Sequence, residues 1–291
     1  MPAVERYTAP KTLDEALEAL RAGNVSLFAG GTDLMPQAQA GRVQLAPVLM
    51  NLRNIAGLGG IEEAKGVVRI GTLTTITELM DSALVRDRLG ALWQSCDHFA
   101  SDQLRNAGTL GGNVCNASPA GDTLVPLLVL DARVVLVAKP NGANGALETR
   151  SLPLAAFLLG PGRTARAPQE LLTAIEIPLP RKDFHSAFFK LGTRPALDIA
   201  AISIGLGAVH EADVLREVRV AFGAVAPTPI RAPRTEAALE GRVLDTQTID
   251  AAIQAADAEI QPISDLRASD WYRREMVHNM LRKMLEDARP H

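Results

Sequence analysis

The sequence is poor in the residues that bind metals. It has two cysteines, Cys96 and Cys115, and five histidines in 291 residues. Two thiolates cannot supply the four ligands of an iron–sulfur cluster or a structural zinc. No histidine pair has the HxxxH ligand spacing, so no metal is expected in this chain. The cysteines read as free buried thiols, since a disulfide is disfavoured in a reducing compartment. Aromatic residues make up only 4% of the chain, which leaves few aromatic groups to line a substrate pocket. No window approaches the roughly 20 apolar residues of a membrane span. The start, MPAVERYTAP, lacks the basic and apolar regions of a secretory signal, and a cytoplasmic location is the expectation. The net charge is −3 and the basic residues are scattered, without the basic stripe of a nucleic-acid binder. Internal repeats and low-complexity segments are absent as well.

What remains is an ordinary globular composition, 47% apolar and 22% charged, at a length that suits two domains. Thr12-Leu-Asp-Glu15 has the spacing of a capping box ahead of the amphipathic run LDEALEALRAG, with Gly23 as the stop. Val25–Ala29 reads as a short buried strand that breaks at Gly30-Gly31, and Leu45–Asn51 reads as another. This β–α–β–α order predicts a small parallel sheet. Gly66–Gly71 is a strand, Thr75-Ile-Thr-Glu78 a second capping box, and Gly90–Ala100 a helical run. Arg133–Ala138 is a strand followed by the turn signal NGANG. Leu171–Ile177 is a strand ending at Pro178.

A boundary is expected at Pro178-Leu-Pro-Arg181. The run from Phe188 to Val225 reads as antiparallel strands, Pro227–Pro233 as a loop, and the rest as helices. Trp271, Met276, Met280 and Met284 form a stripe at near-helical spacing, read as core-facing.

Two glycine segments carry the chemistry. The first is Leu27-Phe28-Ala29-Gly30-Gly31-Thr32-Asp33-Leu34, where a strand runs through two glycines into a helix start. Glycine admits positive φ and close backbone approach, and free N–H groups there favour an anion. The GxGxxG fingerprint is absent, and a plain tight turn is the alternative. The second is Thr109-Leu-Gly111-Gly112-Asn113, within LRNAGTLGGNVCNASPAGD. It reads as too polar for a core and too glycine-rich for a helix, suiting a backbone surface around a phosphate or sugar. Asp122 is either an acceptor for a ribose hydroxyl or an N-cap for the helix TLVPLLVLDA. Together the two segments suggest a dinucleotide site without saying which dinucleotide.

AGGTDLMP, NLRNI and LRNAGTLGGNVCNASPAGDTLVPLLVLDA, followed by ELLTAIEIP, FFKLGTRPALDIA, GAVAPTPIRA and SDLRASDWYRR, resemble the FAD-binding medium subunit of the xanthine dehydrogenase and carbon monoxide dehydrogenase family. The resemblance covers nearly the whole chain in the family's order. It implies an α+β fold: a vanillyl-alcohol-oxidase-type FAD-binding domain at 1–178, with subdomains of about 1–57 and 58–178, and a C-terminal domain of antiparallel sheet and helices at 181–291. It implies that Leu27 to Leu34, with Thr109, Gly111, Gly112 and Asn113, hold the FAD pyrophosphate and ribityl chain. Asp122 matches the flavin-binding aspartate. Phe99 matches an aromatic position near the isoalloxazine, Leu172 a position contacting flavin or adenine, and Lys190 a lysine by the cofactor. Lys190 taken alone would read as a surface lysine. The segment from Arg194 to Asp198-Ile199 resembles a loop beside the flavin ring.

The resemblance further implies a small partner subunit with two 2Fe–2S clusters and a large one with the molybdenum cofactor, with a dimer of heterotrimers as an assembly open to them. FAD would be bound non-covalently and pass electrons to NAD or another acceptor. The cysteine-rich insert of relatives that reduce aromatic thioesters is absent. Two other readings stand beside this one: a stand-alone flavin oxidase of the same fold, and a non-enzymatic nucleotide-binding assembly module.

Overall fold

The computed structural model describes residues 4–140, 146–194, 197–211 and 214–289, so the NGANG turn lies outside the described residues. The chain opens with β1 (Arg6–Thr8), α1 (Leu13–Ala22), β2 (Val25–Phe28), α2 (Leu34–Gln39) and β3 (Val48–Asn51). The strands pair in the order β1-β3-β2, all parallel, as the β–α–β–α order predicts. Helix α1 starts at Thr12, whose Oγ1 accepts from the Glu15 N–H at 3.2 Å. The reciprocal half of the capping box is not made. The Glu15 carboxylate reaches one residue further back and accepts from the Lys11 N–H at 2.8 Å. The helix stops at Gly23, φ +80°, and buries Ala16, Leu17 and Leu20 against Met50, Leu52 and Ile55.

Next come β4 (Ile61–Ala64), β5 (Val67–Gly71), α3 (Ile76–Asp81), α4 (Ala83–Arg88), α5 (Gly90–Asp97), α6 (Asp102–Ala107), α7 (Leu110–Asn116), α8 (Leu124–Val129) and β6 (Arg133–Ala138). The unit is completed by β7 (Glu148–Pro153), α9 (Leu154–Phe157), β8 (Leu158–Gly160), β9 (Arg163–Thr164) and β10 (Leu171–Pro178). Five of these strands form an antiparallel sheet in the order β4-β5-β10-β6-β7, while β8 and β9 make a separate ladder. Both halves of the Thr75–Glu78 capping box are present. Val134 and Leu136 of β6 join the core under the helices, while Val137 joins the core of the N-terminal unit. That alternation is the period-2 signature of a sheet used on both faces.

The last unit consists of β11 (Phe184–Leu191), β12 (Ile202–Glu211), β13 (Val214–Gly223), β14 (Ile230–Arg231), α10 (Pro233–Leu239), α11 (Thr246–Glu259) and α12 (Asp270–Asp287). The four strands are antiparallel in chain order. Ile202, Ile204, Leu206 and Ala208 of β12 face the core shared with α10, α11 and α12. The intervening glycines face α8. A Cβ on Gly205 would lie 2.7 Å from Val129 Cγ2, and one on Gly207 2.8 Å from Val129 Cγ1. Side chains are therefore missing where the helix must lie close to the sheet. All six residues of α8 are buried. Its last carbonyls receive Arg231 at Leu128 O, 3.1 Å, and Arg219 at Val129 O, 3.3 Å. Cations at a helix C-terminus satisfy orphan carbonyls and complement the dipole.

Met276, Met280 and Met284 pack against the C-terminal core, but Trp271 is 66% exposed. The stripe is thus core-facing only from Met276 onward, because Trp271 lies on the side of α12 away from the buried Arg273, Val277, Leu281 and Leu285. Among the described residues no helix is long and apolar enough to cross a membrane, and no cluster of metal-ligating side chains occurs.

Candidate functional site

The first glycine segment lies at the carboxyl end of parallel strand β2, where α/β sheets commonly receive ligands. From Phe28 the chain passes through Ala29 to Asp33 and enters α2 at Leu34. Gly31 has φ +71°, and a Cβ there would lie 2.3 Å from the Phe28 ring. A Cβ on Gly30 would lie 2.1 Å from the Ala107 carbonyl oxygen. The loop therefore rests directly on the end of α6, and Thr32 Oγ1 lies beside Gly108. Among the described residues, the amides of Gly30, Gly31, Thr32 and Asp33 donate no hydrogen bond. The Asp33 carboxylate accepts from Gln37, and Leu27 packs against the N-terminal core. Successive free N–H groups at a helix entry form an anion cradle.

The second segment is not the irregular loop expected. Residues Leu110–Asn116 form α7 with Thr109 as N-cap. The glycines are tolerated because packing replaces propensity: a Cβ on Gly111 would lie 1.7 Å from Thr72 Oγ1. The amides of α7 are also engaged. Leu110 N–H donates to Thr74 O, Gly111 N–H to Thr72 O, and Asn113 N–H to Thr109 O. Gly112 N–H donates to Thr109 Oγ1 at 3.0 Å. The two glycine segments thus differ: one presents free amides, the other presents side chains and close packing. Asn113 Oδ1 accepts from Thr123 Oγ1 at 2.7 Å. Thr72, Thr74 and Thr123 were not singled out from the sequence. The threonine-rich strand end TLTT was the available signal for the first two.

Asp122 does not cap α8. Thr123 occupies the N-cap position without a side-chain capping bond, and Asp122 is turned toward Lys190 of β11. Lys190 Nζ donates to Asp122 Oδ2 at 2.8 Å and to His98 O at 3.1 Å. Both side chains are largely buried, 7% exposed for Lys190 and 12% for Asp122, so Lys190 is not a surface lysine. Burial pushes the Asp122 carboxyl up to about 6, against the opposing pull of Lys190. Asp122 Oδ1 is buried with no hydrogen-bond partner among the described residues. A buried carboxylate oxygen left unpaired is costly unless a ligand donates to it.

Phe99 stands just beyond the end of α5, partly buried against the helical core. Leu172 lies in β10, 2% exposed with its side chain in that core, so only its main chain can meet a cofactor. At the described ends of the segment from Arg194 to Asp198, the Asp198 carboxylate accepts from Thr193 Oγ1 at 2.8 Å, Arg194 N–H at 3.2 Å and Ile199 N–H at 2.9 Å. Those bonds, the Thr193 hydroxyl first, hold the Asp198 carboxyl down at about 2. Cys115 sits on α7, where burial pushes its thiol up to about 11, so it offers no thiolate as a covalent tether at neutral pH. A crevice of about 320 Å³ lined by Leu128, Asp131, Arg133 and Arg231 lies at the opposite end of α8 and contains none of these residues.

The arrangement fits FAD. The free amides suit a pyrophosphate, and the orphaned Asp122 Oδ1 suits a hydroxyl of the ribityl or ribose chain. Comparison with known proteins agrees. Residues 3–180 match the FAD binding domain in molybdopterin dehydrogenase, and residues 187–288 match the CO dehydrogenase flavoprotein C-terminal domain. The xanthine dehydrogenase FAD-binding subunit of Escherichia coli O157:H7 is 32% identical, over 97% of this chain and 95% of its own. The nicotinate dehydrogenase FAD-subunit of Eubacterium barkeri is 30% identical, with coverage of 97% and 95%. Among solved structures, carbon monoxide dehydrogenase from Hydrogenophaga pseudoflava matches with a TM-score of 0.90 at 30% identity, covering 97% of this chain and 96% of that one. With both family models and full-length relatives in agreement, the chain belongs to the family of FAD-binding medium subunits of molybdenum-dependent dehydrogenases.

Proposed function

We propose that this chain passes electrons from the 2Fe–2S clusters of a small partner subunit to FAD and on to NAD or another acceptor, while a large subunit bearing the molybdenum cofactor oxidises the substrate. The observation that carries the reading is that, among the described residues, the four amides of Gly30 to Asp33 donate no hydrogen bond and the buried Oδ1 of Asp122 has no partner. When bound, FAD supplies the redox chemistry, and the protein supplies position and electrostatics. The Gly30 to Asp33 amides hold the pyrophosphate. Thr109, Gly111, Gly112 and Asn113 form the facing wall, and the Asn113 carboxamide nitrogen makes no hydrogen bond among the described residues. Asp122 would accept from a hydroxyl, Lys190 opposes the upward push of burial on that carboxyl, and Phe99 would stand near the isoalloxazine. Cofactor binding is non-covalent.

The division proposed is an FAD-binding domain at 1–178, in subdomains of about 1–57 and 58–178, and a C-terminal domain at 181–291. The separate cores of the N-terminal unit and of the sheet under α10, α11 and α12 support it. A cytoplasmic heterotrimer, paired as a dimer of heterotrimers, is the assembly proposed. The relatives serve xanthine and nicotinate dehydrogenases, which accords with a substrate pocket on the large subunit. Purification of the native complex tests the reading. Two partner chains with molybdenum and iron should copurify. A flavoprotein that oxidises a small organic substrate alone would favour a stand-alone oxidase, and a complex without flavin absorbance would favour an assembly module.

A further inference from the structure

Helix α5 ends at Asp97, where Gln94 O accepts from His98 N–H and Cys96 O from Phe99 N–H. The next four carbonyls, from Asp97 through the turn to Ala100, are taken by two cations from elsewhere. Arg105 of α6 points its guanidinium back at the turn: Nη1 donates to Phe99 O at 2.8 Å and to Asp97 O and Ala100 O, each at 3.3 Å. The remaining carbonyl, His98 O, accepts from Lys190 Nζ. The turn needs such a clamp, because Ala100 has φ +35°, a region that side chains other than glycine's disfavour. The other end of α6 meets the amide loop, since Ala107 lies against Gly30 and Gly108 against Thr32.

We propose that Arg105 is a positioning residue for the flavin site: it fixes the Phe99 turn and, by leaving only His98 O to Lys190, sets the placement of the Lys190–Asp122 pair. The proposal rests on the FAD reading above. Arg105 is 16% exposed, and its second nitrogen donates to the Asp102 carboxylate, which orients the planar fork. Lysine at this position would keep the charge but lose the fork.

The test uses R105A and R105K in the intact complex, with FAD dissociation and the visible circular dichroism of bound flavin as readouts. R105A should weaken FAD binding by about tenfold or more, the scale of one charge-assisted hydrogen bond, and should change the flavin dichroism. R105K should fall between R105A and wild type in both. If R105A fails to assemble, R105K decides alone: a weakened affinity with altered dichroism supports the proposal. Wild-type affinity and dichroism in the variants overturn it. So does weakened binding with unaltered dichroism, which would mark a merely structural role. Absence of flavin from the wild-type complex overturns the FAD reading itself, and this proposal with it.

Discussion

Lys190 Nζ lies 2.8 Å from Asp122 Oδ2, joining a strand of the C-terminal sheet to the residue before the N-cap of α8. The other oxygen of Asp122 has no partner among the described residues, and burial places the carboxyl at about 6. A hydroxyl donated by bound FAD favours the ionised form, so the carboxyl falls on binding and a proton is released near pH 6. FAD affinity should therefore be flat above about pH 7 and fall as pH drops through 6. In the free protein the sign is opposite. A carboxyl raised above its unfolded value of 3.8 favours the folded state increasingly as pH falls from above 6 toward 4. Titration of FAD binding between pH 7.5 and 5.5 checks this, and Asp122→Asn should bind more weakly and lose the dependence. An unchanged dependence in Asp122→Asn would assign it to another group.

The contrast between the glycine segments gives a second prediction. Gly111→Val forces a Cβ into Thr72, where it would lie 1.7 Å from Oγ1. Overpacking of that kind costs about 1–3 kcal/mol, so this variant should unfold at lower denaturant than wild type. Gly112 meets only Thr109 Oγ1, at 2.9 Å, and Gly112→Ala should be the milder change in stability. Parallel urea titrations would separate the two. Equal losses would mean that α7 does not depend on the Thr72 contact.

A third prediction concerns the seat of α8. Gly205 leaves room for Val125 and Val129, and a Cβ would lie 2.7 Å from Val129 Cγ2. Gly205→Val should destabilise by about 1–3 kcal/mol through overpacking, lowering the thermal midpoint and speeding limited proteolysis near residues 178–184. Because only the N-cap Thr123 separates Asp122 from α8, FAD retention should also fall. Unchanged proteolysis and midpoint would show that the helix and sheet have slack there.

Much of the framework could be read from the sequence because it depends on local pattern. Thr12 and Thr75 announce helix starts, Gly23 a stop, and VSLF and VLMN a parallel sheet. The three-residue strand Arg6–Thr8 is too short to show alternation. Helix α7 was hidden because its glycines argue against a helix locally, while the stabilising contact with Thr72 is tertiary. The burial of Lys190 was hidden for the same reason: its partner, Asp122, lies 68 residues away in sequence. The two glycine segments and Asp122 stood out as an anion site from the residues alone, whereas Phe99, Leu172 and Lys190 were named through the family resemblance. Their division into an amide cradle and a packed facing wall required the hydrogen-bond pattern.

The central claim is that the amides of Gly30 to Asp33 cradle the FAD pyrophosphate, and flavin stoichiometry tests it most directly. Gly31 sits at φ +71° with its Cβ direction blocked by the Phe28 ring, so Gly31→Val must move the amides out of line. The measurement is FAD per heterotrimer in the natively purified wild-type and Gly31→Val complexes, read by flavin absorbance after acid release. The account predicts stoichiometric FAD in the wild type and little or none in the variant, with the partner subunits still attached. Stoichiometric FAD in the variant would contradict it.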